Sequence, residues 1–192
     1  MLRCWQPGDA APLKKAIDGC LEYLREWMPW AHEEPVSLEE KIEFLRRKRG
    51  QFDLGQDFGY GIFDRQETEV LGAIGLHPRV GPDAREIGYW IRQDQVGRGL
   101  ATESAAALTR VAFAIDGVKR TEIHCDPANG ASVAVARKLG YRHEATLGQR
   151  FPMPDGHLRD TMLWTMFAAD FPDSRAAAVK VEAFDVVGRP LT

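Results

Sequence analysis

The sequence predicts a single α/β domain built around one mixed sheet, and three observations support this prediction. The chain has 192 residues, of which 44% are hydrophobic and 28% charged, enough to bury one compact core. From residue 58 onward, three β-like segments joined by short turns indicate an antiparallel meander. The third segment runs into a glycine turn, a helix with an apolar stripe and a further strand, which indicates a βαβ crossover and a parallel strand pair.

The amino-terminal quarter is predicted to hold an edge strand and two helical regions. Leu2 to Trp5 is short and apolar and favours an edge strand, and Gly8-Asp9 can cap a helical region that reaches Trp27. Residues 28–35 contain two prolines and break that region. Ser37-Leu-Glu-Glu40 has the spacing of a capping box, which predicts a helix from there to about Gly50.

In the rest of the chain, stretches with the two-residue hydrophobic alternation of strands alternate with stretches that have the 3.6-residue period of helices. Strands are predicted at 58–63, 70–76, 86–91, 120–125, 141–147 and 158–167, and helices at 100–115 and 129–139, the second ended by Gly140. We therefore expect a domain over residues 1–171 and a carboxyl-terminal extension over 172–192. For that extension an extra strand, a homodimer contact and a loose tail remain open.

Composition excludes several classes of function. The formal net charge of −3 lacks the basic excess typical of nucleic-acid binding, and no run of 18 apolar residues predicts a membrane span. The amino terminus shows no signal-peptide pattern, and three widely spaced cysteines suggest neither a disulfide framework nor a zinc site, so a cytoplasmic location is expected. The four histidines other than His77 show no metal-ligand spacing, and no metal is expected.

The turn between residues 91 and 100 carries the clearest chemical signal. A predicted strand ends at 91 and is followed by a turn with Gly97 and Gly99 that leads directly into a helix. This order gathers backbone N–H groups and a positive helix end at one point, which favours phosphate binding. No Gly-Lys-Ser/Thr follows, so a Walker loop is excluded. A dinucleotide fingerprint needs a glycine where Thr102 stands, and the preceding meander does not fit a wholly parallel sheet, although Asp126 lies near the place of a ribose-binding acid.

Three motifs in order resemble the GNAT acetyltransferase superfamily, and in particular its branch that acetylates the amino termini of ribosomal proteins. They are E-I-G-Y-W-I at 86–91, G-R-G-L-A-T-E at 97–103 and N-G-A-S-V-A-V-A-R-K-L-G-Y at 129–141, and the likeness extends from residue 1 to about 171. The resemblance implies a sheet that splays between the strands at 86–91 and 120–125, with helices on both faces, to hold acetyl-CoA.

By this resemblance, two groups of residues would contact acetyl-CoA. The pyrophosphate would lie on Val96, Gly97, Arg98, Gly99, Leu100, Ala101 and Thr102, and backbone groups of Tyr89, Trp90 and Ile91 would hold the pantetheine and the thioester, as an added strand does. The glycines fit this role because a backbone without Cβ atoms can approach a diphosphate closely. Val96 departs from the usual Gln or Arg of the family, so only its backbone is assigned.

Asn129 and Ser132 resemble the family pair that orients pantetheine near the sulfur. The Ser132 hydroxyl could protonate or stabilise the leaving thiolate, although both residue types also cap helices well. Many family members place a tyrosine acid where Ala136 stands here, so we assign the acid role to Ser132.

The general base is assigned to Glu86, at the start of the strand expected to hold the thioester. In the ribosomal branch the base is a glutamate whose place falls at Phe151, which cannot serve. His77 and Asp160 are reserve candidates that would also contact the acceptor, and Trp30 lies in a loop that resembles one wall of the family's acceptor cleft.

The sequence thus predicts an N-acetyltransferase that moves an acetyl group from acetyl-CoA directly to a primary amine, without an acyl-enzyme. The resemblance implies a protein α-amine, with ribosomal proteins as the first expectation. A small amine such as an aminoglycoside, polyamine or amino acid remains an alternative, because fold does not fix substrate. A non-catalytic acyl-CoA-binding module is the alternative from a different class.

Overall fold

The computed structural model describes residues 1–191 and contains one seven-stranded sheet in the order β1-β2-β3-β4-β5-β7-β6. The strands are β1 (Leu2–Cys4), β2 (Phe58–Phe63), β3 (Val70–His77), β4 (Ala84–Ile91), β5 (Arg120–Cys125), β6 (Arg142–Pro152) and β7 (Leu158–Phe167). The helices are α1 (Ala10–Asp18), α2 (Leu21–Trp27), α3 (Leu38–Asp53), α4 (Leu100–Ala114) and α5 (Gly130–Leu139). No helix within residues 1–191 has the length and hydropathy needed to cross a membrane.

The strand directions confirm the predicted mixed sheet. Strands β1 to β4 pair antiparallel in sequence order, β4 and β5 pair parallel, and β5, β7 and β6 are antiparallel again. Helix α4 forms the crossover between the two parallel strands, as the βαβ pattern requires. Strand β1 lies at the edge of the sheet, where its shortness limits the unpaired backbone it exposes.

Helices cover both faces of the sheet, so the residues of β4 divide between two layers. Ile87, Tyr89 and Ile91 contact the hydrophobic cluster under α4 and α5, which we call the α4–α5 face. Trp90, on the alternate side, packs with the cluster under α1, α2 and α3, which we call the α1–α3 face. Because strand side chains alternate, Glu86 and Gly88 also lie on the α1–α3 face.

The parallel pair of β4 and β5 is very short. Its register covers only Ala84 with Arg120, the next pair, and Glu86 with Glu122. Beyond these, β4 continues to pair with β3 as far as Ile91, while β5 continues to pair with β7 as far as Cys125. The two strands therefore diverge toward their carboxyl ends, and we call the opening between them the cleft.

Two predicted helix boundaries were wrong. The helical region predicted from Gly8 to Trp27 is interrupted: α1 ends at Asp18, and Cys20 leaves helical geometry with φ −143° and ψ 29° before α2 begins. Helix α3 continues past Gly50 to Asp53, where the Arg49 side chain bonds Asp53 one turn later. Its amino terminus has the capping box predicted for Ser37 and Glu40.

The structure also differs from the sequence prediction toward the carboxyl terminus. Strand β6 extends from Arg142 to Pro152, past the predicted end at Leu147, because register shifts let it keep pairing with the long β7. After β7, two 3₁₀ turns end at Ala178, and the segment beyond contains one isolated bridge between Phe184 and Pro190. Residues 1–191 therefore contain no eighth strand; Thr192 lies outside the described residues, and the domain boundary near residue 171 stays a prediction.

Candidate active site

The glycine turn lies at the carboxyl end of β4 and leads directly into α4. Gly97 and Gly99 have φ angles of +79° and +86°, in the left-handed region that favours glycine. Gly99 is the N-cap of α4, and no side chain bonds the first turn there. Within residues 1–191, none of the backbone amides of residues 97–102 donates to another residue. These exposed amides and the positive end of a 15-residue helix form a site suited to an anionic group.

The side chains around this turn contribute less. Val96 is 46% exposed and makes no polar side-chain contact, and the Arg98 guanidinium bonds the Gln95 amide oxygen nearby. Any anion at the turn would therefore be held mainly by backbone groups, in line with the assignment of residues 96–102 from the sequence.

The start of α5 is the second part of the candidate site and contacts β4. The Asn129 side-chain oxygen accepts from the Ser132 amide at 3.0 Å and so caps the helix, which is the structural role weighed for it above. That cap leaves the Ser132 hydroxyl free to bond elsewhere, and its oxygen lies 2.9 Å from the Tyr89 hydroxyl. A hydroxyl pair thus links β4 to α5 on the α4–α5 face.

The Tyr89 hydroxyl is a feature that the sequence analysis missed, because only the backbone of Tyr89 was considered there. Burial raises the pKa of the Tyr89 phenol well above its usual range, despite an opposing effect of the bond with Ser132. The phenol therefore stays protonated and can donate to Ser132, which in turn can donate onward. Ala136, at the place of the usual family tyrosine, is fully buried in the core.

Glu86 does not have the surroundings of a free base. It is 8% exposed, and its two carboxylate oxygens accept from the Arg79 guanidinium at 2.7 and 2.6 Å. Burial by itself would raise the pKa of Glu86, but the hydrogen bonds and charge of Arg79 lower it below its usual value. A carboxylate held in this way is a weak proton acceptor, so the geometry disfavours the base role predicted for Glu86.

A second buried carboxylate lies beside Glu86 on the neighbouring strand. Glu122 is 7% exposed; it accepts from the Arg120 Nε at 2.7 Å, and its other oxygen lies 2.7 Å from His124 Nε2. His124 Nδ1 lies 3.7 Å from Glu86, so this imidazole sits between the two carboxylates. The place of His124 is not visible in the sequence, because nothing in its spacing shows that Glu86 and Glu122 are register partners across the parallel pair.

His77 ends β3 on the same face, directly opposite Glu86 in the antiparallel register. Its Nδ1 lies 2.6 Å from Asp57 Oδ1, and the other oxygen of Asp57 accepts from Lys48 of α3 at 2.9 Å. Asp57 was not singled out from the sequence, since 20 residues separate it from the histidine.

The remaining candidates lie around the rim of the cleft. Trp30, in a 3₁₀ turn after α2, packs on Trp90 with ring centroids 6.0 Å apart, so it contacts the strand expected to hold the thioester. Asp160 is exposed and accepts from the Gln149 amide at 2.9 Å, which places it within the β6–β7 hairpin beyond the end of β5. Phe151 lies on β6 and is 43% exposed.

Neither a metal centre nor a reactive thiol is found in this region. No group of three or more potential metal ligands occurs within residues 1–191. Burial raises the pKa of the Cys125 thiol at the end of β5 and that of Cys20 in the α1–α2 turn. A raised pKa disfavours the nucleophilic thiolate, which agrees with transfer that does not pass through an acyl-cysteine.

Comparisons with known proteins fit this fold and cleft. The family model described as acetyltransferase (GNAT) domain matches residues 1–142. The [ribosomal protein uS5]-alanine N-acetyltransferase of Escherichia coli K12 is 25% identical over 158 residues, which cover 80% of this chain and 79% of that protein.

Two solved structures show the same fold. The ribosomal L7/L12 α-N-protein acetyltransferase RimL, in complex with coenzyme A, has a TM-score of 0.77 at 24% identity and covers 86% of this chain and 92% of its own. The microcin C7 self-immunity acetyltransferase MccE, in complex with acetyl-CoA and AMP, has a TM-score of 0.78 at 20% identity and covers 86% and 91%.

An open mixed sheet with a short parallel pair, a glycine turn before α4 and a matching family model together define the class: this protein is an acyltransferase. More particularly, the chain belongs to the GNAT family of N-acetyltransferases.

Proposed function

We propose that this protein binds acetyl-CoA in the cleft and transfers its acetyl group directly to the α-amine at the amino terminus of a protein, with ribosomal proteins as the first acceptors to test. The observation that carries the proposal is the unpaired edge of β4 from Ile87 to Ile91, which faces the cleft between the glycine turn and the Ser132 hydroxyl. The acceptor class is supported by the similarity to the [ribosomal protein uS5]-alanine N-acetyltransferase.

The residues present fit acetyl-CoA. The free amides of residues 97–102 would hold the pyrophosphate. The edge of β4 at Tyr89, Trp90 and Ile91 that is not paired with β5 would hold the pantetheine as an added strand is held. When bound, acetyl-CoA supplies the activated acetyl group. Trp30 and the polar residues of the α1–α3 face border the side from which an acceptor could enter.

In this proposal Ser132 supplies the proton for the departing sulfur. The bond between the acetyl carbon and sulfur breaks as the bond to the amine nitrogen forms; the nitrogen gives up one proton to a base, and the thiolate takes one from the Ser132 hydroxyl. Ser132 then regains a proton from water, directly or through its hydrogen bond with Tyr89. Glu86 keeps Arg79 in place, and the protein further lowers the barrier by holding the amine against the thioester.

The test is acetylation of synthetic peptides that begin with Ala, Ser or Met, followed by mass spectrometry and by release of coenzyme A. We expect acetylation of the terminal α-amine of at least one peptide and none of peptides with a blocked terminus. Acetylation of polyamines, aminoglycosides or free amino acids alone would contradict the protein acceptor. Tight binding of acetyl-CoA without transfer to any amine would indicate a non-catalytic module.

A further inference from the structure

We propose that His77, oriented by Asp57, accepts the proton from the acceptor amine and is therefore the general base of this enzyme. The inference rests on the proposed amine acetylation and gives that reaction the base that Glu86 is poorly placed to provide.

The Asp57 carboxylate fixes the tautomer of His77. Burial would raise the pKa of Asp57, but hydrogen bonds from His77 and Lys48 lower it to about 2. Asp57 is therefore ionised at neutral pH and can only accept, so the 2.6 Å contact requires His77 Nδ1 to carry the hydrogen. In the neutral ring, Nε2 is then the nitrogen with a free lone pair, as in the histidine of a catalytic triad.

The imidazole lies over two glycines of the sheet, Gly75 of β3 and Gly88 of the neighbouring β4. A Cβ built on Gly75 would lie 2.6 Å from both Cε1 and Nε2 of the ring, so no side chain fits there. A Cβ built on Gly88 would lie 3.5 Å from Nε2. Gly88 is two residues past Glu86, just where β4 loses its pairing with β5. Within residues 1–191, Nε2 has no hydrogen-bond partner, and the side chain of His77 is 21% exposed.

The neighbouring groups are less suited to this role. Both oxygens of Glu86 are engaged by Arg79, and both nitrogens of His124 face carboxylates, at 2.7 Å from Glu122 and 3.7 Å from Glu86. The titratable and charged groups around His77 are Asp57 before β2, Lys48 of α3, Arg79, Glu86 of β4, and His124 of β5. Within residues 1–191, each nitrogen of His124 lies within 4 Å of a carboxylate oxygen, whereas the only such contact of His77 is that of Nδ1 with Asp57.

The two proton transfers would then take place on opposite faces of the sheet. His77 approaches the cleft from the α1–α3 face, while Tyr89 and Ser132 approach from the α4–α5 face. The nitrogen–carbon bond forms as the amine proton passes to Nε2, and the carbon–sulfur bond breaks as sulfur takes its proton from Ser132. This arrangement keeps base and acid from neutralising one another.

The first test compares His77→Gln with wild type over pH 6 to 10 on the Ala- and Ser-terminal peptides. We expect kcat at pH 7 to fall by about 10²-fold, a typical contribution of general base catalysis, while the Kd of acetyl-CoA stays within about threefold. The deficit should shrink above pH 8, because a free α-amine has a pKa of about 8 and then needs no base. Asp57→Asn should lower kcat in the same direction, and His143→Gln, on the surface, is the matched control.

An unchanged pH profile for His77→Gln, or an acid limb that disappears in His124→Gln instead, would overturn the proposal while leaving the acetyltransferase activity established. A second measurement does not depend on turnover: ¹⁵N NMR of the imidazoles, assigned with His77→Gln, reports the tautomer. Hydrogen on Nδ1 of neutral His77 supports the proposal, and hydrogen on Nε2 overturns it. If wild type acetylates no peptide, the proposed acceptor fails and the NMR result still decides the dyad.

Discussion

In the proposed mechanism, the Tyr89–Ser132 hydroxyl pair acts as the proton donor because of its surroundings. Ser132 begins α5 with its amide bonded by Asn129, which leaves its hydroxyl to contact Tyr89 at 2.9 Å. Because burial raises the pKa of Tyr89, the phenol retains its proton and can return one to Ser132 after each turnover.

At this residue scale we predict that Ser132→Ala lowers kcat more than tenfold with little change in the Kd of acetyl-CoA, since in the proposed mechanism the hydroxyl protonates the leaving sulfur. Tyr89→Phe should have a smaller effect in the same direction. Tyr141→Phe is a matched control: this buried phenol bonds Thr109 and Thr121 in the core, so its loss should reduce Tm but not kcat. Steady-state kinetics and calorimetry distinguish these results, and full turnover by Ser132→Ala would remove the residue from the mechanism.

At the scale of elements, the glycine turn and α4 act as one unit. The turn places the free amides of residues 97–102 at the mouth of the cleft, and α4 adds the positive end of its dipole. This unit depends on backbone conformation, because left-handed φ angles at Gly97 and Gly99 aim the amides. Neighbouring side chains, including Val96 and Arg98, add little.

We predict that Gly99→Ala weakens acetyl-CoA binding about tenfold or more, because a residue with a Cβ loses about 1–2 kcal/mol in left-handed geometry and the turn would relax away from it. The nearest atom to the new methyl group would be a Glu103 oxygen at 3.6 Å, so the fold itself has room for it. Gly117→Ala carries comparable strain, at φ +68° in an open turn after α4. Titration calorimetry with acetyl-CoA should show weakened binding for the variant at 99 only. Equal binding by both variants would contradict the proposal that the amides of residues 97–102 hold the pyrophosphate.

At the scale of the whole molecule, the sheet separates two hydrophobic clusters, and polar groups hold the α1–α3 layer onto it. Asp57 is central to this attachment because it bonds Lys48 of α3 and His77 of β3 together. The same carboxylate that orients the proposed base therefore also contributes to stability.

The sign of this contribution follows from the lowered pKa of Asp57. A carboxyl group at about 2 in the folded state and about 3.9 when unfolded stabilises the fold fully above pH 4, and the effect is lost as the pH falls through 2. We predict that Asp57→Asn lowers the free energy of unfolding by about 2 kcal/mol at pH 7 and that the difference from wild type shrinks toward pH 2.

Urea denaturation at pH 7, 5 and 3 measures this difference. Asp53→Asn is the control, since Asp53 forms an exposed ion pair with Arg49, and such pairs contribute little. A difference for Asp57→Asn that is independent of pH would show that its carboxylate does not contribute in this way.

Much of the fold could be predicted from local sequence patterns. Three features depend on residues within a few positions of one another and can therefore be recognised in the sequence alone. They are the capping box at Ser37, the strand at 120–125 and the glycine turn before α4. The sequence prediction missed the interruption of the helix at Cys20 and the extension of β6, because packing and strand pairing between separate elements decide them. Motif resemblance indicated Ser132, but it gave no sign of the Tyr89 hydroxyl as its partner.

The sequence by itself determined most of the elements, the glycine turn before α4 and the family, because these follow from short-range periodicity, backbone preferences and motif spacing. Only the tertiary structure decided which polar side-chain atoms are engaged in hydrogen bonds and which remain available. Arg79 engages Glu86, and Asp57 leaves one nitrogen of His77 open, through contacts between separate elements. The proton affinity of a side chain depends on the charges and burial around it, and the fold alone brings those neighbours together.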